Sequence, residues 1–173
     1  MLYRIRNFFI IAVMLIAAYV LQYTVISRLD FLECAPNILL VITVVYGYSR
    51  GKNAGMIIGF FAGLMADVFY CDVIGYNALI LVAIGFLSAL WRKKYYSDTL
   101  FIPMFIIFIS TLGYNLIYYF IWFVLQGEFY FVYSFIHVIV PNLLLTLVAG
   151  LALYKPIIFL NTKLYKHYDL EKN

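Results

Sequence analysis

Charged residues and cysteines are scarce in this chain. Asp, Glu, Lys and Arg make up only 12% of its 173 residues, about half of the share that is usual in a soluble domain. The two cysteines, Cys34 and Cys71, are too few for a disulfide framework and lack the spacing of metal ligands. These shortages exclude a soluble enzyme, a nucleic-acid-binding protein and a large domain outside a membrane. They also predict that the protein holds no metal.

The sequence also lacks the motifs of familiar catalytic sites. It has no His-Glu-x-x-His metal signature, no glycine-rich phosphate loop and no nucleophile elbow. An intramembrane aspartyl protease needs two carboxylates at similar depth, but only Asp67 lies well inside an apolar run. Ser88 and Ser110 lie in apolar runs that contain no histidine to act as a base. We therefore predict that the protein is not an enzyme and uses no cofactor.

Apolar residues, in contrast, make up 66% of the chain. A membrane helix needs about 20 residues, so six helices would use about 120 residues and leave about 50 for all loops and tails. The apolar runs lie at about 8–26, 35–48, 55–69, 75–90, 100–125 and 129–153. We predict a single, all-α integral membrane domain of six transmembrane helices, followed by a basic tail at residues 155–173.

The basic residues give these predicted helices an orientation. With the N-terminus inside, the inner segments hold 11 of the 12 Lys and Arg residues, namely Arg4, Arg6, Arg50, Lys52, Arg92, Lys93, Lys94, Lys155, Lys163, Lys166 and Lys172. The outer loops hold Arg28 alone. Because short cytoplasmic loops are enriched in Lys and Arg, we predict that both termini are cytoplasmic. The tail is either a short interfacial helix on an anionic membrane surface or a solvated basic end.

The third predicted helix carries a row of glycines. Gly55, Gly59 and Gly63 are spaced four residues apart and therefore share one helical face. Small residues in this pattern let the backbone of another helix approach closely. The face is predicted either to pack against another helix of the same chain or to receive the helix of a partner protein.

Asp67 continues the same face four residues beyond Gly63. A carboxylate inside a membrane helix is costly and marks a function or a specific partner. The negative end of its own helix dipole also opposes it. We predict that Asp67 pairs with Arg28 or caps the backbone amides near Gly75, where the fourth helix begins.

The last two predicted helices each carry an asparagine near mid-membrane, Asn115 and Asn142. Side chains of this kind form hydrogen bonds between membrane helices, each contributing about 0.6–2 kcal/mol. Pro141 precedes Asn142, and a proline kink can free a backbone carbonyl for such a bond. We predict a structural role for these three residues.

Several of these features together resemble the MreD family of rod shape-determining proteins. The glycine-phenylalanine-x-x-glycine-leucine-x-x-aspartate element of that family is matched by Gly59, Phe60, Gly63, Leu64 and Asp67. The pair Pro36-Asn37, Gly75, the run Val140-Pro141-Asn142 and the basic tail fit in the same order. The resemblance covers nearly the whole chain.

The resemblance implies a noncatalytic scaffold of the cell-elongation machinery in the bacterial cytoplasmic (inner) membrane, which guides lateral peptidoglycan synthesis and so determines cell shape. Its implied partners are a single-span MreC-like protein, RodA, a class B penicillin-binding protein, MreB filaments and membrane lipid, with no nucleic acid. The family also resembles, in fold, the S subunits of energy-coupling-factor transporters. A vitamin-binding S subunit is therefore the alternative function, although the outer loops here are very short to cover a vitamin.

Overall fold

A computed structural model of the protein describes residues 2–28, 35–70, 75–91, 100–126 and 135–170. The helices in these ranges are α1 (Leu2–Arg28), α2 (Ile38–Arg50), α3 (Lys52–Tyr70), α4 (Tyr76–Leu90), α5 (Phe101–Gln126) and α6 (Val140–Leu170). A short π-helix (Phe135–Ile139) leads directly into α6. The described ranges contain no strand, so the prediction of an all-α protein is confirmed for this part of the chain.

Two of the helical segments are long and apolar enough to cross a membrane. They are Phe101–Ile121 in α5 and Phe135–Leu160 in the π-helix and α6. Three apolar segments are shorter, at Phe9–Gln22, Ile38–Arg50 and Tyr76–Leu90. At 1.5 Å per residue, α2 measures about 20 Å and α4 about 22 Å, less than the hydrocarbon thickness of about 30 Å. Crossing by all six helices thus remains a prediction.

α2 forms the centre of the bundle. Every residue from Ile38 to Tyr48 is buried, and α1, α3, α4, α5 and α6 all pack against this helix. The segment from Ile38 to Tyr48 carries no charged residue, so every side of α2 can be enclosed by other helices. Several hydrogen bonds between side chains and backbone lie around the beginning of α2.

The two ends of the bundle differ in chemistry. α2 and α6 run in the same direction, since Asn142 of α6 bonds the Ala35 carbonyl before α2 and Thr146, one turn further along α6, accepts the N–H of Asn37 at 3.0 Å. Further along the two helices lie Arg50 and Lys155, and Lys52 begins α3 next to Arg50. We call this end of the bundle the basic end. This is the end of the bundle that the distribution of basic residues predicts to lie on the cytoplasmic side.

The outside of the bundle is apolar. Large hydrophobic side chains are exposed on five helices, among them Phe9, Val13, Ile16, Val20, Ile57, Phe60, Val68, Leu79, Leu87, Phe101, Phe105, Phe120, Leu144, Val148, Leu151 and Phe159. A water-facing surface rarely carries a continuous apolar area of this kind. The exterior therefore fits a transmembrane protein surrounded by lipid.

The last helix continues past residue 153, where the predicted membrane span ends. α6 continues without a break from Val140 to Leu170 and passes through Pro156. Proline removes one backbone hydrogen bond, but membrane helices tolerate it where the freed carbonyl finds another partner. Residues 155–170 are thus a direct extension of the last helix.

Candidate functional site

The glycine face of α3 is filled by α4 of the same chain. A Cβ atom added to Gly59 would overlap the carbonyl oxygen of Leu81, and one added to Gly63 would overlap the Cα atom of Ala78. Backbone atoms cannot give way as the end of a flexible side chain can. The structure therefore shows the helix-packing alternative at this face, and a partner helix could reach it only by displacing α4.

Two further glycines, which the sequence pattern did not reveal, complete this contact. A Cβ atom on Gly55 would overlap the carbonyl oxygen of Gly85 in α4 and lie 2.7 Å from the Cα atom of Gly47 in α2. A Cβ atom on Gly47 would in turn lie 2.6 Å from the Gly85 carbonyl oxygen. Three helices thus meet backbone to backbone at one point. Gly85 is a single glycine in an apolar run, and Gly47, although it continues the four-residue spacing through Gly51, lies in a different helix from the row on α3.

Asp67 caps the start of α4. Its carboxylate accepts backbone N–H bonds from Gly75 at 3.0 Å, Asn77 at 2.9 Å and Ala78 at 3.1 Å. The residue is fully buried, and Gly75 provides the left-handed turn, with φ of 102°, that precedes α4. The positive end of the α4 dipole compensates the unfavourable end of the α3 dipole. Of the two arrangements predicted for Asp67, this is the capping of the amides near Gly75. The predicted pairing with Arg28 concerns a side chain outside the described residues.

The start of α2 is capped in a similar way by two side chains, that of Gln22 in α1 and that of Asn37, which directly precedes α2. Gln22 of α1 accepts N–H bonds from Ile38 at 3.0 Å and Leu39 at 3.4 Å through its side-chain oxygen. Asn37 accepts the N–H of Leu40 at 3.0 Å. Because the first amides of a helix have no partner within the helix, these bonds allow α2 to begin inside an apolar bundle.

The two asparagines of α5 and α6 are hydrogen-bonded to each other, as their predicted depths suggested. Asn115 donates to the side-chain oxygen of Asn142 at 3.0 Å, and Asn142 donates to the backbone carbonyl of Ala35 at 2.6 Å. Pro141 lies in the first turn of α6, immediately after the π-helix. Asn142 therefore bonds the segment before α2, while Asn115 also donates to the backbone carbonyl of Thr111 in its own helix at 3.0 Å.

Tyr114 joins the two caps. Its hydroxyl donates to the side-chain oxygen of Asn77 at 2.6 Å, and its chain neighbour Asn115 bonds Asn142. Hydrogen bonds therefore connect all six helices at one level, which we call the polar layer. Its members are Gln22, Asn37, Asp67, Asn77, Tyr114, Asn115, Asn142 and Thr146.

The polar layer lies inside the bundle. α5 extends from Phe101 to Gln126, so its member Asn115 lies about 21 Å from one end of that helix and about 16 Å from the other. The layer contains one acidic residue, Asp67, whose oxygens are occupied by backbone amides. No group of three or more His, Cys, Asp or Glu residues that could hold a metal occurs in the described part of the chain. Its chemistry is suited to fixing helices in place.

A groove lies between α4 and α5. Its volume is about 570 Å³, and it is lined mainly by apolar side chains, including Leu79, Ala83, Leu87, Phe105 and Ile109. The ring of Tyr114 also lines it. Through Tyr114, the groove is in contact with the polar layer.

Comparison with known proteins identifies one family. The model of the family described as rod shape-determining protein MreD matches residues 3–164. Comparison with curated proteins and with solved structures gives no match. The matched range includes all eight residues of the polar layer and the glycines that pack α3 against α4.

Proposed function

The chain belongs to the MreD family of rod shape-determining proteins, and from this premise we propose that it is a noncatalytic scaffold of the bacterial cell-elongation machinery. The observation that carries the proposal is the family match over residues 3–164 of 173. A role in determining rod shape follows from membership of the family. The scaffold role and the partners are the part that we propose.

We propose further that the protein is a multi-pass protein of the bacterial cytoplasmic membrane, with both termini in the cytoplasm. The apolar exterior and the two membrane-length segments support the placement in a membrane. The basic end, with Arg50, Lys52 and Lys155, supports the orientation, because positive charge gathers on the cytoplasmic side.

The proposed partners are a single-span MreC-like protein and, with it, RodA, a class B penicillin-binding protein and MreB. A scaffold needs a surface that its own helices leave uncovered. Because α4 covers the glycine face of α3, the proposed contact with a partner helix moves to the lipid-facing side chains. Exposed positions that sample these faces are Val13 on α1, Leu79 on α4, Phe105 on α5 and Leu144 on α6.

Site-specific photo-crosslinking in living cells tests this proposal. A photoreactive amino acid is placed in turn at the four positions, each of which carries an exposed side chain. Capture of the single-span protein from one helix face and not from the others is expected. The control is the same set of variants in cells that lack the single-span protein, where the product must disappear.

Absence of the product at all four positions, in variants that insert and maintain rod shape, would contradict the proposed contact. Capture of ATPase or coupling subunits would instead favour the vitamin-transporter alternative. The groove gives that alternative little support. A vitamin site needs several convergent polar groups, whereas the lining of the groove is mainly apolar.

A further inference from the structure

The groove between α4 and α5 opens to the outside of the bundle. About half or more of the side chain is exposed at Leu79 and Leu87 of α4 and at Phe105 and Ile109 of α5, all of which line the groove. These side chains belong to the apolar exterior that fits a surrounding of lipid. Whatever fills the groove therefore reaches it from within the membrane and is itself apolar.

The groove is long and narrow. Its lining on α4 extends from Tyr76 to Trp91, a length of about 22 Å at 1.5 Å per residue. Dividing the volume of about 570 Å³ by this length gives a mean cross-section of about 26 Å². A helix with its side chains has a diameter of about 10–12 Å and hence a cross-section of about 80 Å² or more. A helix is too wide to enter the groove, whereas an extended hydrocarbon chain is not.

The volume of the groove matches one hydrocarbon chain. An apolar cavity of about 150 Å³ takes benzene, so that roughly 20 carbon atoms correspond to the volume found here, which is the size of one acyl chain of a membrane phospholipid. The small residues Ala83 and Gly113 leave room for it, and a Cβ atom at Gly113 would meet nothing within 4 Å. The Ser88 hydroxyl in the lining donates to the Gly85 carbonyl of its own helix at 3.0 Å.

One end of the groove lies at the basic end of the bundle. Trp91 lines the groove at the end of α4 and is 42% exposed, and tryptophan is typical of the level of the lipid headgroups. The Lys52 ammonium lies 4.9 Å from the centre of the Phe86 ring, and Phe86 is the chain neighbour of Leu87 in the groove wall. A positive charge is thus placed where the headgroup of a lipid in the groove would lie.

We propose that the groove holds one acyl chain of an anionic phospholipid from the leaflet at the basic end. Its headgroup lies at the level of Trp91 and Lys52, and its chain runs past Ala83 and Gly113 toward the polar layer. The bound chain supplies the dispersion contacts that α4 and α5 do not make with each other along the groove. The lipid is then a structural part of the bundle, and its site does not depend on the partner proteins proposed above.

The fluorescence of Trp91 provides a test, because this side chain lines the groove. Trp122, the other tryptophan of the chain, is first replaced by phenylalanine. The full-length protein in detergent is titrated with phosphatidylglycerol that carries bromine atoms, which quench tryptophan fluorescence at close range. One lipid is brominated near the carboxyl end of its chain and another near the methyl end. Phosphatidylcholine with the same brominated chains is the zwitterionic comparison.

Saturable quenching by a single bound lipid is expected, and bromine near the carboxyl end should quench more strongly. Phosphatidylglycerol should bind about 5-fold more tightly than phosphatidylcholine, the contribution of one lysine near an anionic surface. Ala83→Phe places a ring in the groove, and because each displaced CH₂ group weakens binding about fourfold, a loss of about 10-fold or more is expected. Ala152→Phe is the matched control, since Ala152 is exposed on α6, and it should leave the affinity unchanged.

Gly113→Leu fills the groove from the α5 side and repeats the test if Ala83→Phe does not fold. Quenching that does not saturate, equal affinities of the groove variants and the control, or equal affinities for the two headgroups would overturn the proposal. Photoreactive residues at Leu79 and Phe105 test the other occupants in native membranes. Capture of a partner helix or of a second copy of this chain from both positions would identify a helix over the groove and overturn the proposal as well.

Discussion

Replacement of Asp67 by asparagine tests the polar layer at its most costly residue. The carboxylate accepts three backbone N–H bonds through two oxygens. Asparagine keeps one oxygen and turns an amino group toward amides that can only donate. The substitution is nearly the same size, so its effect on stability reports the hydrogen bonds and the charge, and not a cavity.

The expected cost follows from the bonds lost. A hydrogen bond to a charged group contributes about 1.5–3 kcal/mol, and an unsatisfied buried donor costs about 1–3 kcal/mol. Hydrogen bonds between membrane helices measure lower, at about 0.6 kcal/mol on average. Loss of one or two of the three bonds, with the interaction of the charge with the α4 dipole, therefore gives a destabilisation of about 2–4 kcal/mol. Asp67→Ala leaves all three amides without the carboxylate and should cost more.

Unfolding by sodium dodecyl sulfate in mixed micelles, followed by circular dichroism, measures these differences. Val68→Ala is the matched control, since Val68 is the next residue of α3 and 64% of its surface is exposed. A change at such an exposed position should stay within about 0.5 kcal/mol. If Asp67→Asn unfolds within the same margin of the wild-type protein, the capping role assigned to the carboxylate is refuted.

Three other substitutions test the packing and the remaining caps. Gly59→Ala should destabilise the protein strongly or prevent folding, because its Cβ atom meets the Leu81 backbone. Gly113→Ala is the control, since nothing lies within 4 Å of its Cβ position, and it should be neutral or stabilise by up to about 1 kcal/mol. Thermal unfolding in detergent compares the two variants, and equal losses of stability would contradict the close contact. Asn142→Ala should cost about 1–3 kcal/mol because it removes one of the two partners of the Asn115 amide and the donor to the Ala35 carbonyl, and unfolding in mixed micelles measures the loss. Gln22→Leu should speed hydrogen exchange of the first α2 amides, and an unchanged exchange rate would argue against that cap.

The sequence predicted the composition of the polar layer better than its connections. Asp67, Asn115 and Asn142 were recognisable because a polar residue in an apolar run is costly, and residue counting placed the two asparagines at similar depth. The choice of partner is a different matter. Asp67 had Arg28 and the amides near Gly75 as candidates, and only the position of α4 distinguishes them.

Other members of the layer gave no such signal. Gln22 and Asn77 lie close to the predicted ends of apolar runs, where a polar side chain costs little and attracts no attention. Their roles depend on where α2 and α4 begin, and helix starts are set by contacts with other helices. Tyr114 was one of 17 tyrosines, and tyrosine is common in membrane proteins as an interfacial residue. Its bond to Asn77 required the three-dimensional arrangement.

The polar layer also explains how so apolar a chain can specify one arrangement of helices. In lipid, leucine and phenylalanine gain little by facing another helix, because the hydrocarbon chains around them are equally apolar. Many rotations and sliding positions of α5 or α6 would therefore be nearly equal in free energy if packing alone decided. A slide of α6 by one turn, about 5.4 Å, would separate Asn142 from Asn115 and from the Ala35 carbonyl, so that both of these bonds would be lost. The few polar groups and the glycine contacts thus fix the helix positions, while the lipid-facing residues remain available for binding other membrane proteins.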